Sequence, residues 1–204
     1  SKIEKPSAIS DLDGIIAQSD ALMVARGDLG AEMPVERLPG LQKQITRKAR
    51  AAGKPVVIAT QMLESMINAP VPTRAEVSDV ATAVFDGADA IMLSAESALA
   101  KDPLEAIRSM ARVATAAEAD PTYDALVHAT QTPPQPTGAD AIAAAAHAVA
   151  DTLKLSTIIC FTATGSTALR VARERPGLPV IGLTPVVATA RRLARSSRRA
   201  RRTS

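Results

Sequence analysis

Aromatic residues are scarce in this sequence: Phe, Tyr and Trp make up 1% of the 204 residues, and Trp is absent. A core therefore has to be built from Ala, Val, Ile, Leu and Met, and the hydrophobic fraction of 47% fits a globular chain of one domain and part of another. No apolar run reaches the ~18 residues of a membrane span, and the N-terminus lacks the pattern of a signal peptide. These absences predict a soluble protein with no membrane partner.

Cysteine and histidine are equally rare. The single cysteine, Cys160, lies in an apolar run, so we predict a small core residue in a reducing compartment rather than a disulfide. His128 and His147 have no partners at the spacing of metal ligands, and both are interpreted as structural. We therefore expect a cytoplasmic protein without a histidine or cysteine metal site.

Acidic residues are missing from the last fourteen positions, 191–204, which carry seven arginines. Subtracting these seven charges from the net charge of +3 leaves −4 for residues 1–190. Only this tail resembles a nucleic-acid or anionic-surface footprint, and it has no aromatic residues on which bases could stack. We predict a disordered Arg/Ser tail and do not expect nucleic-acid binding.

Strand-like and helix-like segments alternate over residues 1–117. The predicted strands end at Glu4, Asp28, Thr60 and Ser94, and their spacing of roughly 24 to 34 residues favours βα units with parallel strands. A polar residue ends each strand, where a (β/α)8 barrel places its active site. The predicted fold class is α/β: about the last four βα units of a partial (β/α)8 TIM barrel, with the other units preceding residue 1.

Three helical features are predicted within these units. Residues 7–17 fit one helix. Thr73 with Glu76 fits a capping box, and Asp102 with Glu105 fits a second. The helix after Asp102 places Leu104, Ile107, Ala111 and Ala114 on one face.

The rest of the chain is predicted to form a separate unit. Residues 118–138 are rich in proline and are interpreted as a linker. Residues 139–190 alternate helix and strand again and predict an incomplete open α/β domain.

The segment MVARGDLG at 23–30 is the most informative stretch. A short apolar strand delivers the carboxylate of Asp28 to its C-terminal end, and Gly27 and Gly30 leave the backbone open around it. This arrangement suits a metal ligand beside a small anionic substrate, whereas the alternative is a plain strand followed by an Asp/Gly turn. We interpret Arg26-Gly27-Asp28 as a chance match to an adhesion tripeptide, since it follows a buried strand.

Five segments in order and at the expected spacing resemble the pyruvate kinase family: SKIE at 1–4, MVARGDLG at 23–30, KPVVIATQMLESM at 54–66, PTRAEVSDVA at 72–81 and DGADAIMLSAESA at 86–98. The resemblance covers residues 1 to about 190. It implies the second half of a barrel and part of a C-terminal α/β domain. It also implies phosphoryl transfer from phosphoenolpyruvate to ADP, giving pyruvate and ATP, with Mg²⁺ or Mn²⁺ as cofactor, K⁺ in the full-length family and a tetrameric homo-oligomer.

The resemblance also implies roles for single residues. Glu4 and Asp28 match the metal ligands, and Lys2, on the same strand face as Glu4, matches the catalytic lysine that neutralises the phosphoryl group and the enolate. Gly27 and Asp28 are expected to offer backbone N–H groups to the substrate carboxylate. Thr60 is expected to lie near the protonated enolate carbon and to act through a water relay.

Other positions are more weakly marked. The capping box explains Glu76 without a catalytic role, and Arg74 fits a subunit contact. Glu96 lies in Ser-Ala-Glu-Ser, where the family more often has Ser-Gly-Glu-Thr, so no role is assigned to it.

The loop after the strand at 157–161 opens a helix and is rich in hydroxyls. In the family the matching loop often holds a phosphorylated effector, and a helix N-terminus suits a phosphate. The alternative is simple helix capping by Ser166. The candidate effector residues are Thr162, Thr164, Gly165, Ser166 and Thr167.

Two interpretations of the isolated chain remain. It is a pyruvate kinase fragment that is inactive alone, or a non-catalytic anion-binding or subunit-interaction polypeptide derived from that enzyme. A third interpretation, another phosphoenolpyruvate-using barrel enzyme, would keep the Glu/Asp pair but not MVARGDLG or PTRAE.

Overall fold

The computed structural model describes residues 1–129 and 133–194, apart from the side chain of His128. The chain divides into two compact units, Ser1–Thr130 and Gln131–Ser204. Most of the arginine-rich tail lies outside the described residues, but its first four residues, 191–194, form the end of a helix rather than a disordered segment.

The first unit is a four-stranded parallel sheet with strands in sequential order. Its strands are β1 Lys2–Ile3, β2 Leu22–Ala25, β3 Val56–Ala59 and β4 Ala90–Met92. Its helices are α1 Pro6–Ser10, α2 Leu12–Gln18, α3 Arg26–Glu32, α4 Leu38–Ala51, α5 Arg74–Phe85, α6 Ala95–Ala98, α7 Pro103–Ala119 and α8 Pro121–Ala129. Short 3-10 turns cover Val35–Arg37 and Glu64–Ile67. The predicted α/β fold with successive parallel βα units is confirmed.

The sheet register brings the carboxyl ends of the strands to one edge. Ile3 pairs with Val24, Val24 with Ile58, and Ile58 with Ile91. These aliphatic residues belong to one core cluster with α2, α4, α5 and α7, as expected for a parallel sheet whose strands are buried. Side chains that follow the strands therefore lie side by side.

Two predicted elements differ locally. The helix predicted over 7–17 is two helices, because Asp11 has a non-helical backbone (φ −113°) and precedes α2 as its N-cap residue, a position that Asp favours. The strand at 22–24 is followed directly by α3 rather than by a turn. Asp28 therefore lies in the first turn of a helix, where the helix dipole favours a carboxylate.

The capping box of α5 is confirmed in full. The Thr73 hydroxyl accepts from the Glu76 N–H, and the Glu76 carboxylate accepts from the Thr73 N–H at 2.7 Å. The second box is only half formed, since Asp102 accepts from the Glu105 N–H but the Glu105 carboxylate turns to Arg112 at 2.7 Å.

The two largest side chains of the apolar stripe on α7 are exposed. Leu104 is 52% and Ile107 is 51% exposed. The face that packs into the unit is rotated from the predicted stripe and consists of Ala106, Ser109, Met110 and Ala117. Within this unit Leu104 and Ile107 are left uncovered, whereas Met110 is buried.

Part of the stretch predicted as a linker is helical. Helix α8 buries Tyr123 and Val127 against α5 and α7. The centroid of the Tyr123 ring lies 6.2 Å from that of Phe85 on α5. Apolar side chains at 123 and 127 lie one turn apart, which explains this packing.

The second unit contains two parallel strands with helices around them. Its elements are α9 Gly138–Thr152, β5 Ile158–Phe161, α10 Ser166–Arg173, β6 Val180–Leu183 and α11 Val187–Ala194. Cys160 is buried in its small core, as predicted, and burial raises the pKa of its thiol.

A buried charge cluster joins α9 to α10. The Asp140 carboxylate is fully buried and accepts from the guanidinium groups of Arg170 and Arg173 and from the Gln135 N–H. Arg173 also pairs with Glu174 at 2.9 Å. These contacts fix the start of α9 on α10.

None of the helices in the described ranges is both long and apolar enough to cross a membrane.

Candidate functional site

Lys2 lies between two carboxylates at the carboxyl edge of the sheet. Its Nζ is 2.5 Å from Glu4 Oε2 and 2.8 Å from Asp28 Oδ2. Lys2 belongs to β1 and Glu4 follows it, whereas Asp28 comes from the first turn of α3 beyond β2. The parallel pairing of β1 with β2 therefore brings together three residues that the sequence separates by up to 26 positions.

The charge states of this triad are mutually reinforced. The hydrogen bond to Asp28, followed by that to Glu4, raises the pKa of Lys2 above its ordinary value. In return, the Lys2 hydrogen bond lowers the pKa of the Asp28 carboxyl. At neutral pH the site holds an ammonium between carboxylates, and all three side chains are accessible to solvent.

The carboxylates of Glu4 and Asp28 fit a hard divalent cation whose other ligands come from water or substrate. In the part of the chain that the structure describes, no three His, Cys, Asp or Glu residues group as a metal site. Glu4 Oε2 and Asp28 Oδ2 do converge, and the Lys2 ammonium lies between these two oxygens. Mg²⁺ is commonly bound by one or two carboxylates together with waters and substrate phosphate oxygens.

Thr60 lies at the end of β3 in an uncommon backbone conformation. Its φ is +73° and that of Gln61 is +55°, both in the left-handed region. A positive φ is rare for a β-branched residue and marks strain. The Thr60 hydroxyl donates to the Ala59 carbonyl at 2.6 Å and accepts from the Gly27 N–H at 2.8 Å.

The close approach of the Thr60 side chain to the backbone at position 27 favours glycine there. A Cβ at Gly27 would lie 3.3 Å from Thr60 Oγ1, which is tighter than an ordinary contact. The Gly27 N–H, which the sequence assigned to a substrate carboxylate, is bound to Thr60. A continuous series of contacts thus runs from Thr60 through the Gly27-Asp28 peptide to Lys2 and Glu4.

Arg26 was not singled out from the sequence, yet it makes more side-chain hydrogen bonds than its neighbours in this segment. One terminal nitrogen, Nη1, donates to Asp79 Oδ1 at 2.7 Å and to Gln42 Oε1 at 3.3 Å. The other, Nη2, donates to the Thr60 carbonyl at 2.8 Å. An arginine that directly follows a buried strand is the signal that could have identified it, because such a charge needs partners.

Two glutamates that carried no assigned chemistry fix the neighbouring loops. Glu96 is buried and accepts from the N–H groups of Met62, Leu63 and Ser94, at 3.2, 3.3 and 2.7 Å. Glu76 holds the Ser65 N–H and hydroxyl at 2.7 and 2.6 Å.

The pKa of Glu76 reflects opposing influences. Burial alone would raise this pKa, but hydrogen bonds from Ser65 and Thr73 outweigh it and lower the pKa. Arg74, the neighbouring residue of the PTRAE segment, is exposed.

Comparison with known proteins decides the family. The family profile for the pyruvate kinase barrel domain matches residues 1–107, and that for the pyruvate kinase alpha/beta domain matches residues 140–199. The chain belongs to the pyruvate kinase family.

Individual pyruvate kinases agree with this assignment. That of Methylorubrum extorquens is 62% identical over 192 residues, which cover 94% of this chain and 40% of the relative. One from Agrobacterium vitis is 52% identical with the same coverage. The crystal structure of a pyruvate kinase from Cryptosporidium parvum superimposes with a TM-score of 0.90 at 44% identity, covering 97% of this chain and 40% of that one. The chain thus spans about 40% of the length of these relatives.

The candidate effector loop of this pyruvate kinase family member lies in the second unit, before α10. Gly165 is the N-cap residue with a left-handed φ of +86° and no side-chain cap, so the alternative of capping by Ser166 is not what forms. Instead the buried Thr162 hydroxyl accepts from the Gly165 N–H at 2.9 Å.

Apart from Thr162, the hydroxyl-bearing residues of this loop are exposed. Thr164 Oγ1 and Ser166 Oγ are 3.1 Å apart and exposed, and Thr167 is exposed beside them. Arg192 of α11 donates to the Thr164 carbonyl. Exposed hydroxyls, a helix N-terminus and a nearby guanidinium are compatible with a bound anion.

Proposed function

We propose that this chain supplies the metal-binding and part of the substrate-binding residues of a pyruvate kinase, which transfers the phosphoryl group of phosphoenolpyruvate to ADP. In this reaction the bond between phosphorus and the enol oxygen breaks, and a bond from phosphorus to an ADP oxygen forms. The resulting enolate takes up a proton at carbon to give pyruvate. The observation that carries the proposal is the Lys2 ammonium held between Glu4 and Asp28.

Glu4 and Asp28 are proposed to hold Mg²⁺ or Mn²⁺. When bound, such an ion stabilises the negative charge that develops on the phosphoryl and enolate oxygens. Lys2 adds a positive charge next to the same oxygens. Phosphoryl transfer depends mainly on positioning and charge neutralisation of this kind.

Thr60 and the Gly27-Asp28 peptide are proposed to orient the substrate. The Gly27 N–H can exchange its Thr60 partner for the substrate carboxylate, which would free the Thr60 hydroxyl to relay a proton to the enolate carbon through water. Phosphoenolpyruvate and ADP or ATP are the proposed partners. K⁺ as a second cofactor, a tetrameric assembly and a cytoplasmic location are further parts of the proposal, and the support for them is the family resemblance.

The non-catalytic alternative rests on a different observation. Within the described ranges, β1 and β4 each pair with a single strand, so both edges of the sheet lack a further strand there. Exposed parallel edges are normally covered. For this reason we expect the isolated chain to have no kinase activity.

Metal binding tests the first proposal directly. Mn²⁺ titration of the 204-residue chain, followed by electron paramagnetic resonance of the free ion, should show a site that Glu4→Gln and Asp28→Asn each weaken about tenfold or more, since each removes one of two charged ligands. Glu32→Gln, an exposed acid on the same helix as Asp28, is the matched control. Equal Mn²⁺ affinity in all four proteins would refute the site.

Activity separates the two interpretations. The chain alone, with phosphoenolpyruvate, ADP and Mg²⁺, is expected to give no turnover. Mixed or fused with the remaining portion of the Methylorubrum extorquens relative, it should gain pyruvate kinase activity that depends on Lys2. Turnover by the chain alone at the level of a full-length enzyme would overturn the expectation of inactivity, and a fusion with bound metal but no turnover would favour the non-catalytic role.

A further inference from the structure

Arg26 connects two helices to the end of a strand. It is the first residue of α3, its side chain is 11% exposed, and its Nη1 atom binds Asp79 on α5 and Gln42 on α4. Both acceptors lie on elements that pack in the unit core. One side of the guanidinium is therefore fixed to the scaffold.

The other side of the guanidinium holds the turn after β3. Nη2 donates to the Thr60 carbonyl at 2.8 Å and to the Gln61 carbonyl at 3.4 Å, and it also contacts the Met62 sulfur. Thr60 and Gln61 are the two consecutive left-handed residues. Each such residue is strained unless its surroundings compensate, and here the surroundings include two charge-assisted hydrogen bonds from the Arg26 side chain.

Arg26 and Gly27 act on different parts of the same residue. The Arg26 side chain binds the Thr60 carbonyl, and the Gly27 N–H binds the Thr60 hydroxyl. We propose that Arg26 is a positioning residue, which holds the Thr60–Gln61 turn in its left-handed conformation and thereby sets the Thr60 hydroxyl at the site. Its importance for catalysis rests on the proposed function, in which that hydroxyl faces the substrate.

The planar guanidinium is essential to this role. Its two terminal nitrogens bind opposite partners at once, with Asp79 on one and the Thr60 carbonyl on the other. A lysine ammonium is a single point charge on a flexible stem and cannot reproduce that fork. Arg26→Lys should keep the ion pair with Asp79 and release the turn.

The test uses NMR of the complete 204-residue chain without metal or substrate. In Arg26→Lys the Gly27 amide should exchange with solvent about tenfold faster, the effect of losing roughly one hydrogen bond, and the backbone shifts of Thr60 and Gln61 should move toward extended values. Arg112→Lys is the matched control, because Arg112 forms an exposed ion pair with Glu105 in the same unit. It should change neither quantity.

A double-mutant cycle identifies the route of the effect. Thr60→Val removes the hydroxyl and should also speed Gly27 exchange; adding Arg26→Lys to it should give little further change, because both act on one contact. Unchanged Gly27 exchange and Thr60 shifts in a folded Arg26→Lys protein would overturn the proposal, as would fully additive effects. If Arg26→Lys unfolds the unit, Asp79→Asn decides instead: it weakens the anchor and should shift residues 60 and 61 in the same direction.

The catalytic consequence is measured in the fusion with the Methylorubrum extorquens portion. There Arg26→Lys should lower kcat about tenfold or more with the KM for phosphoenolpyruvate changed by less than about twofold, and Thr60→Val should mask the effect. An equal fall in kcat with and without the Thr60 hydroxyl would overturn the positioning role. Because the NMR arm contains no ligand, a failure of Mn²⁺ binding would refute the proposed function and leave the Arg26 result standing.

Discussion

Replacing Asp140 by asparagine should selectively destabilise the second unit. The Asp140 carboxylate is 0% exposed and neutralises Arg170 and Arg173, and the Arg173 side chain is itself only 5% exposed. Removing one partner of a buried ion pair typically costs about 3–5 kcal/mol, because the remaining charge is left uncompensated. Glu174 still pairs with Arg173, so we expect the lower figure, about 3 kcal/mol, or roughly 150-fold in the unfolding equilibrium.

The chain offers a probe for each unit. Cys160 is its single cysteine and is buried in the second unit, so the rate at which a thiol reagent labels it in urea reports unfolding there. Tyr123 is the single tyrosine and is buried in the first unit, so its fluorescence reports unfolding of the other. In Asp140→Asn the Cys160 transition should move to lower urea and the Tyr123 transition should not.

Asp151→Asn is the matched control for this prediction. Asp151 lies on the same helix as Asp140 and pairs with Lys154, but both side chains are exposed. Exposed ion pairs typically contribute about 0.2–1 kcal/mol, so its Cys160 transition should stay close to that of the wild type. Equal effects of the two substitutions on Cys160 would refute the reasoning, and so would an equal shift of both probes in Asp140→Asn.

Two further predictions concern the first unit. In Lys2→Met the pKa of Asp28 should return toward 3.8, because the Lys2 hydrogen bond is its main cause of depression; carboxyl NMR titration measures this, and an unchanged pKa would contradict it. The Asp28 carboxylate stabilises the folded state above pH 3.8, and this stabilisation is lost as the pH falls through its lowered pKa. The Lys2 ammonium stabilises the folded state below pH 10.5, and this stabilisation is lost as the pH rises through its raised pKa. Glu96→Gln should lower the free energy of unfolding by about 1–3 kcal/mol in Tyr123-monitored urea titrations, since one amide face would oppose N–H donors. Glu64→Gln, at an exposed position nearby, is its control, and equal urea midpoints would exclude the Glu96 anchor.

The parts of the fold that could be predicted are those with local signals. The β-branched run at 56–59 and the Thr73–Glu76 capping box form where expected because both depend on neighbours in sequence. Lys2 and Glu4 could be paired in the same way, from the period of a strand. Proposing Asp28 beside them required the family resemblance, because the contact depends on β1 pairing with β2.

The residues that were missed depend on contacts between elements distant in sequence. Arg26 reaches Asp79, 53 positions away, and Glu96 reaches Met62, 34 positions away. The position of Arg26 directly after a buried strand indicates that it needs partners, but the local pattern does not say which residues those partners are. The left-handed turn at Thr60 and Gln61 was missed for a related reason, because neither residue type favours that conformation by itself.

Exposed apolar side chains occur both on α7 and on the sheet of the second unit, and one physical explanation covers both. Periodicity records which residues are apolar, not which surface covers them. Leu104 and Ile107 on α7 are apolar and exposed, and the outward side chains of β5 and β6 are also apolar and exposed: Ile159, Phe161, Ile181 and Leu183. Parallel sheets are normally covered on both faces, and the chain spans 40% of the length of its relatives. We expect binding of the remaining portion of the relative to protect the amides of β5 and β6 and to reduce dye binding to the exposed apolar surface. Unchanged amide exchange of β5 and β6 in an active reassembled enzyme would show that these faces stay exposed in the complete enzyme.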